Sequence, residues 1–253
     1  MGTPWTHPNI AGGAMAMLLP LAFCIGITRE GAVRHLGLAV AVLALAGLLL
    51  TGSRGALVSL VVVMCWMARR RVPYVGRMLM AGAIFGALLL MFYPPLQERF
   101  IGLFTSNDAS TTVRLEEYSH FTDAMKMFPL GIGFKVDPPV PGTGLWGISN
   151  LWLNYVYKLG VPGMLLFVGV TVSWWREARL PNNQVTLNRD TALWLGTRVG
   201  VLAALLSGVF DHYFSFTTVL IALFWLLLGL NLHEARRLQI KAQRLASDVR
   251  EKP

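Results

Sequence analysis

Apolar residues run through this chain in seven blocks: Ile10–Thr28, Leu36–Leu50, Ala56–Ala68, Val75–Tyr93, Leu151–Trp175, Thr191–Phe210 and Phe216–Leu232. Several reach or approach the ~20 residues that cross the hydrocarbon core of a bilayer as a helix. Spanning segments must satisfy their backbone groups internally, and the alternating ~10-residue pattern of a barrel is absent. The expectation is an all-α, polytopic transmembrane helix bundle of about seven spans. Residues 1–93 carry spans one to four, 94–150 form a long loop, 151–232 carry spans five to seven, and 233–253 form a basic tail. Blocks two and three are short for spans. Either their helices extend through Thr51 and Ser53, or the turn between them dips below the membrane surface.

The polar interval that opens near Thr112 holds one helical pattern. Leu115, Tyr118, Phe121, Met125 and Phe128 recur at helical spacing, which predicts an amphipathic helix over 113–128. Glu116 and Glu117 suit its first turn, and Pro129 stops it. Gly131-Ile132-Gly133 and the proline-rich run at 138–142 predict an irregular loop.

Composition agrees with the pattern: 55% of residues are hydrophobic and 14% charged, which excludes an ordinary soluble domain. The formal charge of +9 would suggest nucleic acid in a soluble protein. Here the cations mark topology instead. One set of loops carries Arg29, Arg34, Arg69, Arg70, Arg71, Arg77, Arg176, Arg179, Arg189 and the tail cations, and is read as cytoplasmic. The other set carries Arg54, Arg99, Arg114, Lys126 and Lys135, so the long loop and Asp211-His212 face outward. Trp152, Trp174 and Trp175 fall near block ends, where interfacial aromatics belong. Cys24 and Cys65 read as small buried hydrophobes. Residues 1–10 lack a basic n-region, so block one is expected to be a retained span.

Several charged residues invite a chemical reading. Arg54, in Thr51-Gly52-Ser53-Arg54-Gly55, is suited either to clamp phosphate oxygens or to anchor an interfacial turn. Arg114 offers a second phosphate ligand and His120 a proton carrier; the alternative is a solvated polar face. Lys158 points into an anion-binding cavity or snorkels to the interface, and Arg198 reads as a snorkelling residue. Asp211 can orient the His212 imidazole, although adjacent helical residues point apart, and an ordinary polar loop is the alternative. The tail, with Arg236, Arg237, Lys241 and Arg244 beside Leu238, Ile240 and Leu245, reads as a helix on the anionic inner leaflet. No Walker loop, metal-spaced His/Cys cluster or nucleophile elbow occurs. No cofactor and no metal is expected.

These residues resemble the O-antigen ligase and polysaccharide polymerase superfamily of membrane glycosyltransferases. His7-Pro8-Asn9-Ile10-Ala11 is similar to the family's asparagine-containing start of a span. Thr51-Gly52-Ser53-Arg54-Gly55-Ala56 resembles its Ser-Arg-Gly-Ala signature. Arg114-Leu115-Glu116-Glu117-Tyr118 and the run Pro129-Leu130-Gly131-Ile132-Gly133 resemble its loop helix and Pro-Leu-x-Gly-x-Gly turn. Asn150, Gly160 and Gly163 match its His-Asn-x9-Gly-x-x-Gly pattern.

The resemblance implies transfer of a glycan from undecaprenyl pyrophosphate to an acceptor hydroxyl at the periplasmic face of the bacterial inner membrane. The acceptor would be lipid A-core, another glycan or a protein. Arg54 and Arg114 would neutralise the pyrophosphate, with Asn150, His120 and Lys158 as further substrate ligands. Where the family pattern has histidine, this chain has Ser149, a poor base at neutral pH. His212, beside Asp211, is the expected replacement; the alternative is a non-catalytic protein that binds lipid-linked glycan or scaffolds an assembly complex. Family members usually carry more spans, so the chain is expected to correspond to the C-terminal core of the pattern.

Overall fold

The structure, a computed structural model, describes residues 8–69, 74–94, 97–98, 109–133, 145, 147–181 and 185–250. All regular structure among the described residues is helical. In chain order the helices are α1 (Pro8–Thr28), α2 (Gly31–Thr51), α3 (Arg54–Arg69), α4 (Val75–Phe92), α5 (Ala109–Met127), α6 (Leu151–Glu177), α7 (Ala192–Ser207), α8 (Tyr213–Phe216) and α9 (Thr218–Arg250). Five of them, α1, α2, α4, α6 and α9, are long and apolar enough to cross a membrane. The two others that read as spans, α3 and α7, have 16 residues each, or about 24 Å of helical rise.

The centre of the bundle is α1, which packs on α2, α3 and α7. Lipid supplies no hydrophobic drive for helices to associate, so close van der Waals contact must do it, and small residues permit that contact. Gly37 of α2 lies against Gly26 of α1; a Cβ there would sit 2.8 Å from the Gly26 nitrogen. Gly200 of α7 is seated against the Met17 carbonyl in the same way, at 2.4 Å. Buried Asn231 of α9 ties two other helices together. Its Oδ1 accepts from Trp174 Nε1 of α6 at 2.9 Å, and its Nδ2 donates to Trp194 O and Thr197 Oγ1 of α7.

Several elements differ from the expected blocks. Both α2 and α3 extend toward each other, so only Gly52 and Ser53 separate them; Gly52 takes the left-handed conformation that closes a helix. Block six stops as a helix at Ser207. Block seven continues without interruption into the tail, because Arg236, Gln239 and Lys241 reach Glu177, Arg179 and Asp190 of the preceding loop. The tail is thus a continuation of α9 that is tied to the rest of the bundle by its own side chains. Trp174 is buried by its bond to Asn231. Arg198 does not snorkel: it is 4% exposed, packs on Trp175 and donates to the Ala178 carbonyl. Cys65 lies on the exposed face of α3, beside Val58, Val61 and Val62. A position inside an apolar block can face lipid as easily as core.

On α5 the apolar stripe holds only in its second half. Phe121, Ala124 and Met125 pack with Leu145, Ile148 and Tyr157. Leu115 and Tyr118, however, are exposed, while Arg114 and Glu117 are half-buried. Arg114 turns to a polar cavity and Glu117 to the Ser149 backbone nitrogen, so the first half of α5 turns polar side chains inward. The run at 138–142, together with His7, Arg70, Arg71, Arg99 and Lys135, lies outside the described residues.

Candidate active site

A cavity of about 190 Å³ opens at one end of the bundle, where the start of α1, the α2–α3 turn, α5 and the α7–α8 turn meet. Its polar lining comes from Asn9, Ser53, Arg54, Arg114, Ser207, Asp211 and Tyr213. The α2–α3 turn explains why Arg54 is there. Ser53 is small and buried against Gly12 of α1, and a Cβ at Gly55 would sit 2.7 Å from Phe210 Cβ. The turn is wedged on both sides, which leaves Arg54, the first residue of α3, facing the cavity.

Asp211 is held from two directions. Asn9 Nδ2 donates to Oδ2 at 2.8 Å, and the His212 backbone nitrogen donates to Oδ1 at 2.8 Å. Burial pushes the Asp211 carboxyl up from 3.8 to about 6, against the opposing pull of those two hydrogen bonds and of Arg114. The carboxyl is therefore ionised at neutral pH but more basic than usual. Arg114 completes the group: its buried Nε has no hydrogen-bond partner among the described residues. A buried, unsatisfied cationic donor is costly to leave without an acceptor. The chemistry that satisfies it is an anionic oxygen.

The Asp211 carboxylate lies beside the His212 ring without a hydrogen bond to it. The His212 Nδ1 lies 3.6 Å from Oδ1, beyond hydrogen-bond reach, because the carboxylate caps the His212 backbone. The ring stacks on Tyr213 with centroids 5.6 Å apart. Its Nε2 lies 2.9 Å from where a Gly147 Cβ would be. His212 thus occupies the space beside the segment that leads into Ser149, although it is far from it in sequence.

Ser149 and Asn150 form the start of α6. The Ser149 backbone nitrogen donates to Glu117 Oε2 at 2.7 Å, which ties α5 to α6. Asn150 is engaged at both ends of its amide: Oδ1 accepts from Trp152 N and Leu153 N, and Nδ2 donates to Val209 O. It caps the helix and fixes the α7–α8 turn. Asn154 continues the link, donating to Ser215 Oγ at 2.7 Å.

A second link between α5 and α6 involves two glycines. Helix α6 breaks at Gly160, where φ is 68° and ψ is −177°. The break exposes the Tyr157 and Lys158 carbonyls, which accept from Ile132 N at 2.9 Å and Gly133 N at 2.8 Å. Gly131 and Gly160 pack backbone to backbone; a Cβ on Gly131 would lie 2.4 Å from the Gly160 nitrogen. The spacing of both glycine motifs thus serves one junction.

Of the residues singled out from sequence, Arg54, Arg114 and Asp211 meet at the cavity. His212, Ser149 and Asn150 lie next to it on the α6 side. His120 is exposed on α5 and is not among the cavity's lining residues. Lys158 is half-buried with Nζ 5.4 Å from the Tyr157 ring centroid, also outside that lining. Sequence reading did not place Asn9, Glu117, Gly147 or Tyr213 in the site. Asn9 and Glu117 carried a signal, each as part of a motif; Gly147 and Tyr213 carried none.

Fold and site together define a multi-pass membrane protein with an anion-seeking cavity at one end of its helices. The O-antigen ligase family model matches residues 39–168, just over half of the chain, and the chain belongs to that family. The matched stretch runs from α2 into α6 and contains Arg54, Arg114 and the Gly131–Gly160 junction; Asp211 and His212 lie beyond it. The family is of membrane glycosyltransferase type. No curated protein matches the chain.

Proposed function

We propose that the protein is an inner-membrane glycosyltransferase of ligase or polymerase type, acting on a glycan carried by undecaprenyl pyrophosphate. The observation that carries this reading is the convergence of Arg54, Arg114 and Asp211, from three distant parts of the chain, on one cavity. Two guanidinium groups suit the paired oxygens of a pyrophosphate. Topology supports the periplasmic side. The cavity end gathers the start of α1 and the α2–α3 and α7–α8 turns, whereas the opposite end carries Arg29, Arg34, Arg69, Arg77, Arg176, Arg179 and the tail. With α3 and α7 counted as short spans, seven crossings put both sets on consistent sides.

In the reaction, the acceptor oxygen attacks the anomeric carbon. The bond from that carbon to the pyrophosphate oxygen breaks, and its electron pair leaves with the lipid pyrophosphate. Arg54 and Arg114 stabilise the charge that grows there. Asp211 takes the acceptor proton, for which a carboxyl near pH 6 is suited. His212 and Ser149 border the acceptor side. Lipid A-core, another glycan and a protein are all acceptors of the right chemistry.

Reconstitution with a lipid-pyrophosphate-linked oligosaccharide tests the reading. Arg54→Ala and Arg114→Ala are each expected to lower release of undecaprenyl pyrophosphate by about a hundredfold or more while the protein still inserts. Full activity in both would refute the clamp. Ser149, standing where the family has histidine, favours a second reading: a non-catalytic binder of lipid-linked glycan. That reading predicts arginine-dependent binding and no release by the wild type.

A further inference from the structure

A second cavity, of about 570 Å³, lies at the other end of the bundle, between the last turns of α3 and α6 and the first turns of α7. Along α3 it is about 18 Å of helical rise from Arg54. Trp66, Trp175 and Trp194 line it, with Leu180, Arg179 and Arg198. The Arg198 guanidinium is stacked 4.2 Å from the Trp175 ring centroid and 5.4 Å from that of Trp194. It donates through Nη1 to the Ala178 carbonyl at 2.7 Å. Arg179 stands beside it, 5.7 Å from Trp175.

Among the described residues, no carboxylate lines the cavity to balance this charge. The three nearby acids are committed elsewhere: Glu177 to Arg236, Glu234 to Arg237 and Asp190 to Lys241. The adjoining stretches 70–73 and 182–184 contain no acidic residue. Aromatic faces stabilise a guanidinium only partly, and a nearly buried one without a counter-charge is costly. Two cations set among indole rings at a helix end present the surface that an acidic lipid headgroup fits.

We propose that this cavity binds an acidic phospholipid of the leaflet opposite the glycan site, its phosphate on Arg198 and Arg179 and its chains along the Trp66 and Trp175 side. The phosphate would satisfy guanidinium donors left over from the Ala178 bond. The tryptophans would meet the chain–headgroup boundary, where indoles are favoured. This inference does not depend on the reaction assigned to the other end.

Quenching of tryptophan fluorescence by brominated lipid tests it. The full-length protein is reconstituted in phosphatidylcholine vesicles containing brominated phosphatidylglycerol or, at equal surface density, brominated phosphatidylcholine. The expected result is stronger quenching by the anionic lipid, with its apparent affinity lowered about tenfold in Arg179→Gln and in Arg198→Lys, the loss of one charge-assisted contact. Arg179 is exposed, so its substitution leaves the fold intact. Arg77→Gln, an exposed cation on α4 that is not part of the cavity lining, should behave as wild type. Equal quenching by the two brominated lipids, or an Arg179→Gln protein indistinguishable from Arg77→Gln, would overturn the proposal. Competition by excess inorganic phosphate as effective as by the lipid would also overturn it, since the site would then be one for a soluble anion.

Discussion

The Gly131–Gly160 junction gives a prediction whose size follows from the coordinates. Replacing Gly160 by alanine forces a side chain into backbone dihedrals that glycine alone adopts readily, at about 1–3 kcal/mol. The new Cβ would also lie 2.7 Å from the Leu130 carbonyl carbon and 2.8 Å from its oxygen. Backbone cannot rotate away as a side chain can, so the turn must lift. Lifting it loses the hydrogen bonds of Ile132 and Gly133 to Tyr157 and Lys158, about 1 kcal/mol each. The total is about 3–5 kcal/mol, concentrated on the docking of α5 against α6. Gly169, on the same helix, is the control. A Cβ there meets nothing within 4 Å, and alanine gains up to about 1 kcal/mol of helix propensity.

The two substitutions should therefore differ in sign. Thermal unfolding in detergent, followed by tryptophan fluorescence, should fall by several degrees for Gly160→Ala and hold or rise for Gly169→Ala. Glycan transfer should follow the same order, because the junction and the Glu117–Ser149 bond hold α5, and with it Arg114, at the cavity. A Gly160→Ala protein that matches Gly169→Ala in both midpoint and transfer rate would refute the reasoning.

Three further predictions concern Asp211 and its neighbours. Transfer should fall on the acid side with a midpoint near pH 6, as Asp211 takes up a proton; a limb near pH 4 would remove Asp211 as the base. Stability should run the other way. Between pH 3.8 and about 6 the folded carboxyl holds a proton that the unfolded chain has released, so stability falls as pH rises through that window, by about 3 kcal/mol at most. Finally, His212→Ala should reduce transfer more than Ser149→Ala, because the Ser149 backbone bond to Glu117 survives its side chain while the ring beside Gly147 does not survive its own loss. The reverse order, measured on matched reconstitutions, would take His212 out of the site.

Much of this molecule is written locally. The apolar blocks predict the helices because a span must be apolar along its whole length, and Pro129 marks where α5 is released. Arg54 and Arg114 were legible because charge at a membrane boundary is costly and so needs a reason. What escaped was orientation. Leu115 and Tyr118 fit a helical stripe as well as Phe121 does, yet Arg114 turns to the cavity and Glu117 to the Ser149 backbone in their place. Arg198 looked like an interfacial cation, and only the packing of three tryptophans shows that it is enclosed.

Taken alone, the sequence determined the helical membrane class and the family, since these depend on composition, periodicity and motif spacing within single segments. Tertiary structure decided which of the marked residues meet. Asn9 reaches Asp211 across the whole chain, Gly131 meets Gly160, and His212 fills the space beside Gly147. Each pairing depends on the approach of backbones tens to hundreds of residues apart. Such approach is set by small residues and buried hydrogen bonds between helices, and no periodicity within one helix encodes it.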